Sequence, residues 1–596
     1  MLGILSLFLV CIFYVNGLAE PPHIWVVMVD DLGWNGVGFT GNNKEVKTPY
    51  IDDLAINHGV RFDHHYVYQF CSPSRASFLT GRTVGHGIQQ HNLGQTEATS
   101  NNENITMIGR KLKDAGYITH AIGKWHQGFY KPSVTPHGRG FDTFYGFLGG
   151  GEDHLTQCHA CENAIPDPDW ATEPFMCPAS FSPCNVTCPE QGGVDFYGTD
   201  GPMYGHNTTA NVYLYQSEIT KRVREAANEP KDSITPRFAF ISLHNVHQPV
   251  EAPEQLVNLY PKEDYNESNY ARRVYNGMLS GVELVVHNLT EELKAGGLWE
   301  NSIILFLGDN GGTYEHEGPV SGVSNYPLRG HKYTYFEGGV RTASFLASPL
   351  LPERVVGTWS HALLHESDWW PTFAALAGLS PTDDAARGNP GYVSVDGRNA
   401  WAVITDDQAT LVSDPWRTEL LLGVDYFPDQ QIEWQGALIN GSFKYISPGH
   451  PGGLSAKMAL WSAQYPGTTE TIQVGPSGAP DGLCDPGLGC LFDLAADPRE
   501  TNNLVYTNMT LLKSMANRYL QLAKELYAPN SPDDPIPGQP LSETRVILEH
   551  CQDDACWERR GFAIDLEGKP VPDYNCPACV KMKEMGGYWS PWVDVD

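Results

Sequence analysis

Four short apolar runs constrain this chain more than anything else in its sequence. His23–Val29 (HIWVVMV), Tyr117–Ile122, Arg237–Leu243 (RFAFISL) and Ser302–Leu307 (SIILFL) are rich in β-branched and aromatic residues and bounded by turn signals. Runs of that length and composition read as buried strands. Helical patterns separate them. Thr48 to His58 has Thr48 as a cap and Pro49 at the first position, and Ile105 to Ala115 is closed by Gly116. Two longer helices are expected near 208–228 and 268–296. Strands alternating with helices predict an α/β fold: a large, mostly parallel sheet covered by helices on both faces. Ligands of such sheets bind where the strands end. The runs here end in Asp30-Asp31, Lys124-Trp125-His126, His244 with His247, and Asp309-Asn310-Gly311.

After about residue 400 the pattern changes to short strands and Gly/Pro-rich stretches at 447–456 and 475–490. The expected organisation is a catalytic unit over 20–400, a smaller C-terminal α+β domain over 401–545, and a Cys-containing tail over 546–596. Of the 596 residues 41% are hydrophobic and only 18% charged, so a long disordered chain is excluded. The formal net charge of −31 argues against a nucleic-acid partner, which needs a basic face.

Residues 2–15 form one apolar run before Gly17 and Ala19, too short to span a bilayer and placed as in a signal peptide over 1–19. No later segment reads as a membrane span. Sequons at Asn104, Asn185, Asn207, Asn266, Asn288, Asn440 and Asn508 agree with the secretory pathway, lysosomal or extracellular. The cysteines at 158–188 and 484–579 read as disulfides in that compartment, with Cys158-x-x-Cys161 and Cys576-x-x-Cys579 open to a zinc reading. Cys71 stands apart from both clusters.

Asp30, Asp31, Asp309 and Asn310 offer only oxygen ligands, which favour Ca2+ or Mg2+ over zinc. In Cys71-Ser72-Pro73-Ser74-Arg75, Ser72 and Pro73 suit a cap and first turn. Cys71 then lies at a helix N-terminus, where an anion is favoured, with Arg75 reaching back towards it.

Cys-x-Pro-x-Arg followed by Leu79-Thr80-Gly81-Arg82 resembles the signature of type I, formylglycine-dependent sulfatases. The resemblance continues in Val29-Asp30-Asp31-Leu32-Gly33-Trp34, Gly123-Lys124-Trp125-His126, Val246-His247-Gln248-Pro249, Asp309-Asn310-Gly311-Gly312 and Leu328-Arg329-Gly330-His331-Lys332. The ending Gly587-Tyr588-Trp589-Ser590-Pro591-Trp592 is most similar to the arylsulfatase B, or N-acetylgalactosamine-4-sulfatase, branch.

The resemblance implies an alkaline-phosphatase-like sheet and a sulfuric ester hydrolase acting on an aryl or glycosaminoglycan-like sulfate ester. Its nucleophile would be formylglycine hydrate, made from Cys71 by a formylglycine-generating enzyme. It implies one Ca2+ on Asp30, Asp31, Cys71 as formylglycine, Asp309 and Asn310. Arg75, Lys124, His126, His247 and Lys332 would surround the sulfate, with His247 protonating the leaving oxygen and His126 acting on the hydrate. His244 and His331 would stand behind them or face the substrate. Gln127 replaces the leucine usual after Gly-Lys-Trp-His, a change expected to touch packing. Competing expectations are a phosphoesterase or phosphonate monoester hydrolase of the same superfamily, and a non-catalytic secreted glycoprotein that binds sulfated glycans.

Overall fold

The computed structural model describes residues 20–526 apart from 42–44, 91, 95–98, 161–174, 178–191, 204, 207–208, 266–269, 314–321, 390–391, 409–410, 412–413, 428–431, 449–483 and 486. Beyond 526 it describes the strands Phe562–Ile564 and Pro570–Pro572. The segment 1–19 expected to be a signal peptide, most of the tail with its Gly587–Trp592 ending, and Cys161, Cys184, Cys188, Cys551, Cys556, Cys576 and Cys579 lie outside the described residues.

All four apolar runs are strands of one ten-stranded sheet. His23–Val29 lies at its centre, paired in parallel with Arg237–Leu243 on one side and Ser302–Gly308 on the other. Ile118–Lys124 and Thr143–Phe147 continue the parallel set beyond Arg237–Leu243. The opposite flank is mixed: Ser344–Ala347 runs antiparallel to Ser302–Gly308, and Gly59–Phe62 antiparallel to Ser344–Ala347, so it regains the common direction. Every residue of His23–Val29, Arg237–Leu243 and Ser302–Gly308 is buried. Alternate side chains fill two apolar cores. One holds Trp25, Val27 and Val29 with the helices Asn211–Ala227 and Tyr270–Ala295, the other Ile24, Val26 and Met28 with Phe78 and Trp370. Two buried faces explain the continuous apolar runs.

The expected helices are present with altered ends. Ile105–Ala115 is helical only over Ile108–Lys113, and the first helix spans Pro49–Asn57. Thr48 does precede that helix, but its hydroxyl donates to Asp52 Oδ1 at 3.2 Å and accepts from Gly38 N–H at 3.0 Å. The helix N–H groups of Tyr50 and Ile51 donate instead to the Glu283 carboxylate, at 2.6 and 3.1 Å. A buried acid from a distant helix has taken over the cap.

Downstream, Glu419–Phe427, Ile432–Asn440, Phe443–Ile446 and Cys490–Asp493 form a four-stranded antiparallel sheet, with the helix Met509–Leu526 against it. This is the smaller α+β part. It shares a core with the larger sheet's side of the molecule: Leu420, Leu422, Ile439 and Phe492 pack with Tyr66, Ala76, Tyr335 and Phe336. Cys484 and Cys490 form a disulfide, and Cys158 is also disulfide-bonded, which removes it from the zinc reading. None of the described helices is long and apolar enough to cross a membrane.

Candidate active site

The helix Cys71–Thr80 places the cysteine in its first turn. Phe70, not Ser72, occupies the cap position, because Ser72 is already inside the helix and its hydroxyl accepts from Gln89 Nε2 at 2.6 Å. All ten helix residues are buried, Cys71 being 1% exposed. Its Sγ lies 3.9 Å from Asp31 Oδ1.

Asp30 and Asp31 follow the central strand, and Asp31 adopts φ 54°. That left-handed turn breaks strand alternation, so neighbouring carboxylates reach one place. Asp31 N–H donates to Asp309 Oδ1 at 3.1 Å, and Asn310 Nδ2 donates to Asp31 Oδ1 at 2.7 Å. After Asn310 the chain must pass close to another backbone: a Cβ at Gly311 would stand 1.8 Å from the Gly338 carbonyl oxygen. Only glycine fits there.

Three cations close the arrangement. Lys124 Nζ is 2.7 Å from Asp30 Oδ2, Lys332 Nζ is 2.7 Å from Asp31 Oδ1, and Arg75 Nη2 is 2.7 Å from Asp309 Oδ2 and 3.3 Å from Asp30 Oδ1. The residues expected around a sulfate are therefore paired here with the residues expected around an ion. Burial works against the charge of Asp30, but Lys124, then His247 and Arg75, hold its carboxyl well below the usual range. Asp31 is held low against burial mainly by Lys332. Burial and then the Asp30 charge push Asp309 up to about 7. Burial likewise pushes the Cys71 thiol up to about 12, so as a plain thiol it is protonated at neutral pH and a poor nucleophile.

His247 Nε2 is 3.8 Å from Asp31 Oδ2, and its Nδ1 lies 2.8 Å from the Gln248 carbonyl oxygen. One ligand atom from each of Asp30, Asp31, Cys71 and His247 falls within 4.8 Å of the others, a cluster able to hold a metal ion. Asn310 Oδ1 is buried without a hydrogen-bond partner among the described residues, an acceptor suited to a cation. The two carboxylates of that cluster and this amide oxygen fit a hard divalent ion, while Asp309, expected as a further ligand, stands beside them bound to Arg75 and the Asp31 N–H.

His126 is placed differently from the expectation. It sits at φ 52°, and its Nε2 faces the Leu93 carbonyl oxygen at 3.1 Å rather than Cys71, while its buried Nδ1 has no partner among the described residues. His244 is buried and stacked between His154, at 4.2 Å between ring centres, and His247, at 5.2 Å. His331 is buried beside Lys332.

Several contributors escaped the sequence reading. Ser242, hidden inside an apolar strand, accepts a short hydrogen bond from Arg75 and donates to the Lys124 carbonyl at 2.7 Å. Thr313 donates to Asp31 Oδ2 at 2.5 Å. Gln127 does more than pack: its amide donates to the Ser72 carbonyl at 3.0 Å, bracing the first turn of the Cys71 helix. A polar residue at the end of an apolar strand was the available signal for Ser242.

Comparison with known proteins bears on this geometry. The family model described as Sulfatase matches residues 22–379. The chain is 34% identical over 388 residues to arylsulfatase J of Mus musculus, covering 65% of this chain and 56% of that protein. It is 31% identical over 384 residues to arylsulfatase G of Rattus norvegicus, covering 61% of this chain and 66% of that protein. The match thus spans less than two thirds of either relative's length. The crystal structure of Ps i-CgsB in complex with k-i-k-neocarrahexaose shares the fold, with a TM-score of 0.63 at 24% identity over 87% of this chain and 96% of that one. With well over half of its length matched by the family model, the chain belongs to the sulfatase family.

Proposed function

We propose that this protein hydrolyses a sulfate ester of an aryl or carbohydrate, glycosaminoglycan-like substrate. The observation that carries the reading is the convergence of Cys71 with Asp30, Asp31, Asp309, Asn310, Lys124, Lys332 and Arg75 beside the ends of three strands. Asp30, Asp31, Asp309 and Asn310, with the modified Cys71, would hold one Ca2+. A formylglycine hydrate made from Cys71 would supply a hydroxyl nucleophile and a second hydroxyl for expelling sulfate, and Ca2+ held by these residues would supply fixed positive charge.

The chain's own groups do the rest. Lys124, Lys332 and Arg75 are buried ammonium and guanidinium groups, already ordered by carboxylates, and they exchange part of that pairing for the sulfate oxygens. In so dry a site their charges stabilise the transition state far more than they would in water. The Nδ1–H of His247 donates to the Gln248 carbonyl, which leaves Nε2 as the atom that exchanges a proton with the leaving oxygen. Burial pushes His247 down to about 4, and a bound sulfate ester opposes that shift by placing a negative charge beside the ring. His126 is anchored through Nε2 on the Leu93 carbonyl, and its Nδ1, unpartnered among the described residues, is the atom left to act on the hydrate.

We read the chain as one of the secretory pathway. In support, Asn104, Asn440 and Asn508 are exposed, as glycan acceptors must be, and the described disulfides suit an oxidising compartment. The unit over 20–400 would carry the chemistry, with 401–545 as its smaller companion.

Peptide mass spectrometry of the Cys71 segment, on protein from its own secretory pathway, tests the reading together with sulfate release from a panel of aryl and sugar sulfates. An aldehyde or its hydrate at residue 71, with release from at least one ester, is expected. An unmodified thiol throughout and no release would overturn it.

A further inference from the structure

A second group of potential metal ligands lies away from the Cys71 site: Asp63, His64 and His361, whose ligand atoms fall within 4.8 Å of one another. Strand register brings them together. Gly59–Phe62 and Trp359–Ser360 pair in parallel, with Arg61 opposite Trp359 and Phe62 opposite Ser360. Asp63 N–H then donates to the Ser360 carbonyl at 3.0 Å, so the residues just past both strand ends are held side by side. Gly59–Phe62 lies three strands from His23–Val29. At ~4.8 Å per strand this is roughly 14 Å along the sheet's edge from Asp30.

The local geometry suits a small ion. Asp63 Oδ2 is 2.9 Å from His361 Nδ1 and 3.7 Å from His64 Nδ1. Bonds of about 2.0–2.2 Å in a tetrahedral arrangement put ligand atoms roughly 3.3 Å apart, midway between those separations. Arg341 binds the other oxygen, Asp63 Oδ1, which orients the carboxylate and leaves Oδ2 facing the imidazoles. His64 Nδ1 is buried and has no hydrogen-bond partner among the described residues. The three residues line a cavity of about 670 Å3 whose wall also includes Trp34, Trp359, Ser442 and Arg499. A fourth ligand position can therefore open to solvent.

We propose that Asp63, His64 and His361 form a binding site for a borderline divalent transition metal, Zn2+ or its surrogate Co2+. Two imidazole nitrogens and one carboxylate select this class over Ca2+, which takes oxygen ligands. The two clusters on this sheet edge thus differ in the metal they prefer. A metal here would also pin the edge strand Trp359–Ser360 through the largely exposed His361, whose side chain is 72% accessible.

The test is calorimetric titration of the full-length, chelator-washed protein with Zn2+ in excess Ca2+, which keeps the oxygen-rich site engaged. Visible absorption with Co2+ reports tetrahedral nitrogen and oxygen ligation independently. One equivalent of Zn2+ is expected, with affinity falling at least tenfold in both His64→Ala and His361→Ala. His361→Ala retains its thermal midpoint because the side chain is exposed, and it loses the Zn2+-induced rise of that midpoint. Uptake that is equal in the parent and both variants, or no uptake by the parent at all, overturns the proposal.

Discussion

Replacing Lys444 by Met should be among the most damaging single changes to this fold that spare the chemistry. Lys444 Nζ lies 2.9 Å from Glu337 Oε1 and 3.0 Å from Glu500 Oε1, and all three side chains are fully buried. Methionine keeps most of the stem's volume, so the loss is chiefly electrostatic. Removing one member of a buried ion pair typically costs about 3–5 kcal/mol. Two features place the cost here near the lower end. Burial already pushes Glu500 up to about 7, so it takes a proton cheaply at neutral pH. Glu337 retains Arg341 Nη1 at 3.3 Å and the Tyr66 hydroxyl at 3.1 Å. A loss of about 3 kcal/mol is therefore expected at pH 7 in urea denaturation followed by tryptophan fluorescence. Adding Glu500→Gln should restore about 1 kcal/mol or more, since the second acid no longer lacks a counter-charge. A single variant within about 1 kcal/mol of the parent would refute the reasoning, because the network would then be solvated or dispensable.

Three further outcomes are expected. Lys124→Ala and Lys332→Ala should each lower kcat by about 10²–10³, measured on an aryl sulfate, and should also lower the folding midpoint, because each leaves a buried carboxylate without its partner; a kinetic change confined to KM would assign them to binding alone. Chelation with EGTA should remove activity, and Ca2+ should restore it better than Zn2+. His120 has its pKa lowered to about 3, first by burial and then by Arg222, and its Nδ1 meets Thr143 Oγ1 at 2.7 Å. The folded state resists protonation that the unfolded chain accepts below 6.5, so stability present above that pH is lost as pH falls towards the folded value. From pH 6.5 to 5 this amounts to about 2 kcal/mol. His120→Gln should narrow its stability gap to the parent by that amount over the same interval, read by denaturation at each pH.

The parallel centre of the sheet was legible because its strands are buried on both faces, and HIWVVMV or SIILFL can satisfy little else. The site followed from strand ends: Asp30, Asp31, Lys124, His247 and Asp309 all stand where an apolar run stops. What escaped depends on partners far away in the chain. Thr48 and Ser72 look like caps locally, yet Glu283 takes over the first cap and Gln89 engages the second hydroxyl. Neither could be read within one window of sequence. Two-residue strands such as Tyr197–Gly198 and Trp359–Ser360 exist only because a longer neighbour offers them hydrogen bonds. Ser242 and Thr313 became visible as site residues only once Arg75 and Asp31 were in place beside them.

The complete burial of the Cys71 helix sets an order of events. No enzyme can reach a side chain that is 1% exposed and enclosed by Asp31, Lys332 and the strand ends. The proposed oxidation of Cys71 would have to happen while the segment is still an open chain. Folding then becomes the deadline: the Cys71 helix is locked to residues as distant as Asp309, which Arg75 holds at 2.7 Å, and the non-local parallel pairing of the strand before Asp309 forms slowly. A variant that folded faster would emerge with more unmodified cysteine. On the proposed chemistry, the yield of working enzyme would be decided by a race at birth as well as by the stability of the finished molecule.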